Sequence, residues 1–168
     1  RGKRYYYGIY SFDTERHYSE VNAISVKSVY NPMSDGLVGY WAVDEPADGV
    51  YMDLSGHGHH AVIHGSRSTE GVLGNSTVMN GFNNYLDLGK IMPTGAYTKS
   101  AWIKLKDGSL KNHIISGRLF HAFWVPRSYG FRLSGGHNND WNIVQDSKPI
   151  EPMEWHHVAL TYDPDVRG

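Results

Sequence analysis

The sequence predicts an all-β fold, an antiparallel two-sheet sandwich of the jelly-roll kind. Three observations predict it. Short runs that alternate or are wholly apolar, rich in Tyr, Trp, Val and Ile, recur along the chain; Gly, Asn, Asp and Pro separate them; and no window keeps a helical period long enough to matter. Brief strands with turn chemistry at regular intervals favour two packed antiparallel sheets.

Taken in chain order, the runs place strands at Arg4–Ser11, which holds Tyr5-Tyr6-Tyr7, and at Val21–Val29. Next come Leu37–Val43 between Gly36 and Asp44, His60–His64 closed by Gly65, Thr77–Asn80, and Tyr85–Leu88 closed by Gly89. Tyr97–Leu105 alternates: Ala101, Ile103 and Leu105 take one face, and Ser100, Trp102, Lys104 and Lys106 the other. His113–Ser116, Ala122–Val125, Gly130–Ser134 and Asn142–Gln145 follow. In the last run, Trp155–Tyr162, residues His157, Ala159 and Thr161 alternate with His156, Val158, Leu160 and Tyr162. One face of each of these two long strands can therefore supply core. The adjacent His156 and His157 face opposite sides, so they cannot grip one ion, and one is expected buried with the other solvated.

Composition bounds the function. A chain of 168 residues fits one core. Its formal charge of −1, from 16 Lys and Arg against 17 Asp and Glu, offers no polycationic surface for a run of phosphates, so nucleic acid is not an expected partner. No apolar run approaches the roughly 20 residues needed to cross a bilayer, and the N-terminal residues lack the apolar stretch of a signal peptide. With no cysteine, disulfides and thiolate zinc sites are excluded. Asn75-Ser76-Thr77 is a glycosylation sequon, relevant only in a secreted eukaryotic protein.

Catalytic patterns are not found. There is no Gly-x-Ser-x-Gly elbow, no thiol nucleophile and no glycine-rich strand-to-helix phosphate loop. Glu151 and Glu154 flank Pro152 in a turn, without the alternation that would carry paired carboxylates into a groove. The expectation is a non-catalytic chain.

Binding fits the residues better. A sugar site needs aromatic faces to stack on C–H surfaces and planar polar groups to bond hydroxyls. Residues 118–142 carry that mix: Phe120, Phe123, Trp124, Tyr129, Phe131 and Trp141 beside Arg118, His121, Arg127, Arg132, His137, Asn138, Asn139 and Asp140. Alternation puts Phe123 and Phe131 inward and Trp124 outward, while Gly135–Asp140 reads as a loop. The candidate ligand-binding residues are Trp124, Arg127, Tyr129, Asn138, Asn139, Asp140 and Trp141. The turn-forming types among them equally suit a loop with no ligand.

The stretch Asp53-Leu-Ser-Gly-His-Gly-His-His-Ala-Val-Ile-His-Gly65 holds His57, His59, His60 and His64. A helical pair of zinc ligands is not possible in so glycine-rich a turn, and the acidic partner of an H-E-x-x-H motif is missing. A turn running into a strand suits the residues, with Asp53 and Ser55 capping amides and Gly56 and Gly58 taking positive φ. From there His60, Val62 and His64 point one way, Ala61 and Ile63 the other.

Several segments, in this order, resemble one family. "GLVGYWAVDE" (36–45), "DLSGHGHHAVIHG" (53–65), "VMNGFNNYLDLG" (78–89), "YTKSAWIKL" (97–105), "IISG" (114–117), "YGFRLSGG" (129–136) and "WHHVALTYD" (155–163) resemble successive strands of laminin-G-like, concanavalin A-like jelly rolls of the pentraxin and bacterial lectin-module type. The resemblance implies an all-β, antiparallel two-sheet jelly-roll sandwich over residues 36–168. It also implies sugar binding, protein adhesion, calcium binding or, in some relatives, glycoside hydrolysis, the last through a Glu-x-Asp-x-x-Glu pattern that this sequence lacks. The counterpart of the Asp53 stretch in this family lies near a bound structural calcium. Calcium takes oxygen ligands, so the resemblance points to Asp44 and Asp53, with carbonyls from Gly56 and His57. His57 stands where the family has Asn, and the same aspartates would serve equally as turn caps.

Residues 1–35 stand apart. "EVNAISVKSVYNPMS" (20–34) resembles the closing strand of the same family, which makes the segment either the tail of a preceding module or a set of permuted closing strands. The family's closing aspartates appear here as Ala23 and Ser25. "GKRYYYGIYSFDTE" (2–15) more faintly resembles a strand pair of β-propeller glycosidases. The whole predicts a carbohydrate-binding, lectin-like module of a larger secreted or cell-surface protein, its partner a glycan or polysaccharide, and calcium its structural ion. The alternatives are a structural or adhesion domain binding protein, and an accessory module or fragment of a glycoside hydrolase.

Overall fold

The computed structural model describes residues 4–9, 22–27, 36–106, 112–117, 121–137 and 142–166. It divides into two units, Arg1–Val38 and Gly39–Gly168. The first contains β1 (Arg4–Ile9) and β2 (Asn22–Lys27), an antiparallel pair with Arg4 opposite Lys27 and Ile9 opposite Asn22.

The second unit is built from antiparallel ladders. β3 (Val50–Tyr51), β4 (Ala61–His64) and β7 (Tyr85–Asp87) form a sheet in the order β3-β4-β7. β5 (Arg67–Glu70) and β6 (Asn75–Val78) form a hairpin. β8 (Tyr97–Lys104) pairs along its whole length with β12 (Trp155–Tyr162). β9 (Phe123–Trp124), β10 (Arg132–His137) and β11 (Asn142–Pro149) complete the set, with β10 central.

The β8–β12 ladder follows the predicted sidedness. Along β8 and its extension to Lys106, Lys99 and Leu105 are buried while Ser100, Trp102, Lys104 and Lys106 are exposed. On β12 the inward set is His156, Val158, Leu160 and Tyr162, with His157, Ala159 and Thr161 exposed. His156 is half-buried and its Nε2 lies 3.0 Å from the Glu151 carbonyl oxygen, whereas His157 packs outside against the Trp102 ring. Tyr51, Ala61, Leu105, Phe123, Val125 and Val158 are the buried apolar residues. On β4 the expected alternation holds at Ala61, fully buried, against the exposed Val62.

β10 lies against β12. Gly135 is buried, and a Cβ there would fall within the Leu160 side chain. That contact corrects the expectation of a loop from Gly135: Gly135, Gly136 and His137 are ladder residues opposite Val144, Ile143 and Asn142. The small size of Gly135 is a packing requirement and does not break the strand. At the other end β10 starts later than expected. Pro126 opens a 3-10 turn over Arg127–Tyr129, and Gly130 and Phe131 follow at φ 67° and 57°, so extended backbone begins only at Arg132. Phe131 is half-buried.

The expected strand at Leu37–Val43 does not form. Within the second unit this segment is tied by single contacts: the Tyr40 amide donates to Asp53, the Leu54 amide to the Tyr40 carbonyl, and the Trp41 indole to the His59 carbonyl. Its Trp41 ring folds back over Gly39, where no Cβ would fit. His113–Ser116 is reduced to a single bridge, His113 with Trp124. β3 and β5 were not foreseen.

Candidate functional site

The Asp53 turn is a closed hydrogen-bond unit. Asp53 Oδ1 accepts from the amides of Tyr40 at 3.0 Å and Ser55 at 2.9 Å, and Oδ2 from the amide of His59 at 3.0 Å. The Asp53 amide in turn donates to His60 Nδ1 at 3.1 Å. The carboxylate is 6 % exposed. Burial by itself would raise its pKa, but the Ser55 hydroxyl and the amides of Tyr40, Ser55 and His59 outweigh it and hold Asp53 well below the usual carboxylate range. Gly56 and Gly58 take φ 91° and 79°, as a turn this tight demands.

The two aspartates of the expected calcium site each hold backbone amides. Both Asp53 oxygens already accept amides. Asp44 Oδ1 accepts from the Asn75 amide at 2.7 Å, and its carbonyl accepts from Asn75 Nδ2 at 3.1 Å, which anchors the start of β6. That carboxylate fills the space above Gly74, where a Cβ would collide with it. His57 Nδ1 lies 3.0 Å from Ser55 Oγ, and its ring faces His59. Asp44 and Asp53 thus serve different turns, and among the described residues no group of three His, Cys, Asp or Glu is arranged to hold a metal. The remaining histidine of the stretch, His64, stacks on its cross-strand neighbour Tyr85 at 4.3 Å.

Of the candidate ligand residues, the structure gathers three around the β9 end. Trp124 stacks on His113 with ring centroids 5.3 Å apart and planes at 28°. Tyr129 meets it edge-on at 5.8 Å and 81°. Phe123, Val125 and Pro126 are fully buried beneath, so the corner rests on packed core. Trp124 is half-buried, a correction to the outward expectation: β9 is only two residues long, and the buried Pro126 that ends it prevents simple alternation. Its indole N–H is buried and meets no acceptor among the described residues. Arg127 and Tyr129 stand exposed on the 3-10 turn two positions apart. Asn138, Asn139, Asp140 and Trp141 lie outside the described residues.

A second group was not foreseen as a unit, although His121 and His137 belong to the polar mix of residues 118–142. Tyr97, Lys99, His121, His137 and Tyr162 meet beside the Tyr97 end of the β8–β12 ladder. The Tyr97 hydroxyl lies 3.1 Å from His137 Nδ1 and 3.4 Å from His121 Nδ1. The two imidazoles are 4.8 Å apart, and His137 stacks on Tyr162 at 3.5 Å. Lys99, 5 % exposed, donates to the carbonyls of Ile115 at 3.1 Å and His121 at 2.7 Å. Burial pushes its pKa down to about 8. Burial likewise lowers both imidazoles, aided at His121 by the charges of His137 and Lys99 and at His137 by that of Lys99. The available signal was parity: Tyr97 and Lys99 share the inward face of Ala101, Ile103 and Leu105, and a lysine on a core face needs partners.

A family model described as the concanavalin A-like lectin/glucanase superfamily, of laminin-G type, matches residues 80–167. No curated protein and no solved structure gives a significant match. The matched span takes in β7 to β12, with both the Trp124 corner and the Tyr97 group inside it, and leaves the Asp53 turn outside. It covers just over half of the 168 residues and agrees with the antiparallel ladders and their sidedness: the chain belongs to the laminin-G-type, concanavalin A-like lectin/glucanase superfamily.

Proposed function

We propose that the domain is a non-catalytic glycan-recognition module, working as part of a secreted or cell-surface protein. The observation that carries this reading is the aromatic corner of His113, Trp124 and Tyr129, set on buried Phe123, Val125 and Pro126 and flanked by the exposed Arg127. Rigid rings at right angles offer one face for a pyranose C–H surface and one edge to limit its orientation, and a guanidinium beside them can bond hydroxyls in its plane. The family includes glucanases as well as lectins, and the use of its carboxylates supports the lectin side. Asp44, Asp53, Asp87, Asp146 and Asp163 each accept a backbone amide. That is the work of scaffold, whereas hydrolysis needs two carboxyl groups facing one bond.

Adhesion to protein is the weaker reading. The most exposed apolar side chains, Leu73 at 87 % and Phe82 at 91 %, sit on separate loops, one between β5 and β6 and the other between β6 and β7, and do not share one element's face. A glycan array tests the proposal. Binding to at least one glycan class, weakened about tenfold or more by Tyr129→Ala or Arg127→Ala with the fold intact, is expected for contacts of this size. Silence on every glycan, or binding indifferent to both substitutions, would overturn it.

A further inference from the structure

Among the described residues, the Tyr97 group brings basic side chains together without an acid. Lys99 and Tyr97 come from β8, Tyr162 from β12, His137 from β10 and His121 from the segment that bridges Gly117. These are the titratable groups that face one another there, and among the described residues no carboxylate pairs with Lys99, His121 or His137. The Lys99 ammonium is instead held by two carbonyls and lies 5.2 Å from the centre of the Tyr97 ring. Both imidazoles remain half-exposed, so a ligand can reach them.

We infer that His121, His137 and the Tyr97 hydroxyl form a site for an anionic sugar substituent, a carboxylate or sulfate, that opens as the imidazoles take up protons. The geometry sets the mechanism. With neutral imidazoles the Tyr97 hydroxyl has one proton to share between two Nδ1 atoms, so it donates to one ring and accepts from the other. When both rings are protonated, both Nδ1–H groups donate to the Tyr97 oxygen, and the phenolic proton is released to point at an incoming anion. The Nε2–H groups become further donors, and Lys99 adds its charge from behind. Burial first, and then the charges of His137 and Lys99 at His121 and of Lys99 at His137, lower the imidazole pKa values, and an anion relieves that repulsion. Binding and protonation are therefore linked: the anion raises the imidazole pKa values, and acid tightens the anion.

The anionic sugar as ligand rests on the glycan reading above; the anion site itself does not. Three oligosaccharides serve as probes: an agaro-oligosaccharide without charge, a κ-carrageenan oligosaccharide bearing sulfate, and an oligogalacturonate bearing carboxylate. Calorimetry is run at about pH 8 and about pH 5, on either side of the ordinary imidazole range. At least one charged probe is expected to bind about tenfold tighter or better at the lower pH, a pKa rise of about one unit on one imidazole, while the neutral probe gains nothing. Which charged probe gains tells carboxylate from sulfate. His137→Gln and, separately, Tyr97→Phe should abolish the gain. NMR titration of the wild-type imidazoles should show both pKa values rising with the bound probe, a readout that does not depend on how the variants fold. Charged-probe affinity that ignores pH, a gain that survives both substitutions, or imidazole pKa values unmoved by either charged probe would overturn the inference. In that case neutral binding lost in Tyr129→Ala leaves the glycan reading standing. Conversely, imidazole pKa values that rise while Tyr129→Ala and Arg127→Ala change nothing keep the anion site and remove the corner.

Discussion

Asp53 shows what a single side chain does here. It joins the segment around Tyr40 to the turn before β4 by accepting three amides on two oxygens. Asp53→Asn should destabilise the fold by about 2–3 kcal/mol, because an amide NH2 would then face an N–H that it cannot accept. The check is the denaturant midpoint near neutral pH. Since the native carboxyl is held below its unfolded value, the stability it adds is complete above the ordinary carboxylate range and fades as acid protonates it, so the gap between wild type and variant should close at low pH. Lys99 behaves in the opposite sense. Its native pKa is pushed down to about 8, so the unfolded chain holds that proton more tightly, and native stability should climb as pH rises from about 8 towards 10. Above that range Tyr97, whose pKa burial and then Tyr162 raise, begins to oppose the climb. Thermal melts across this window should show the rise in wild type and lose it in Lys99→Met. The Asp53 turn was legible in the sequence, because Asp, Ser and Gly at those spacings have few other uses. Lys99 was legible only by extending the strand's parity backwards to a residue whose charge argues against burial.

At the level of elements, pairing decided what could be read. β8 and β12 alternate along full ladders, and both were legible to within a residue or two. β5 could not be: its four residues are all exposed, and it is held by backbone pairing with β6 and by Asp44 on Asn75, neither of which leaves a hydrophobic period. Leu37–Val43 carries the composition of a strand but forms no ladder among the described residues, and Tyr40 and Trp41 are tied by single bonds instead. Gly135 is the clearest test of packing between elements. Gly135→Ala should cost about 1–3 kcal/mol, because β10 must move away from Leu160 or Leu160 must leave its rotamer. By contrast Trp102→Ala, at a ring 55 % exposed on the outer face, should cost less than about 1.5 kcal/mol beyond its pairing with His157. Chemical denaturation of the two variants side by side checks both; equal costs would mean that the inner face has been assigned to the wrong side.

For the whole molecule, family and fold were legible because order and spacing of many short segments are more specific than any one of them. The proposed ligand site was legible in part: Trp124, Arg127 and Tyr129 lie in one stretch, whereas His113 beside them, and Tyr97 with His121 and His137, come from separated stretches that only the folded chain unites. The two aspartates named as calcium ligands come from separate segments and hold different turns. The central claim, that this domain recognises glycan at the Trp124 corner, is tested most directly by following backbone amide and indole N–H resonances while oligosaccharides are titrated in. Shifts that begin at His113, Trp124, Arg127 and Tyr129 and saturate with added sugar are predicted. Saturating shifts confined to other strands, or none with any oligosaccharide, would contradict it.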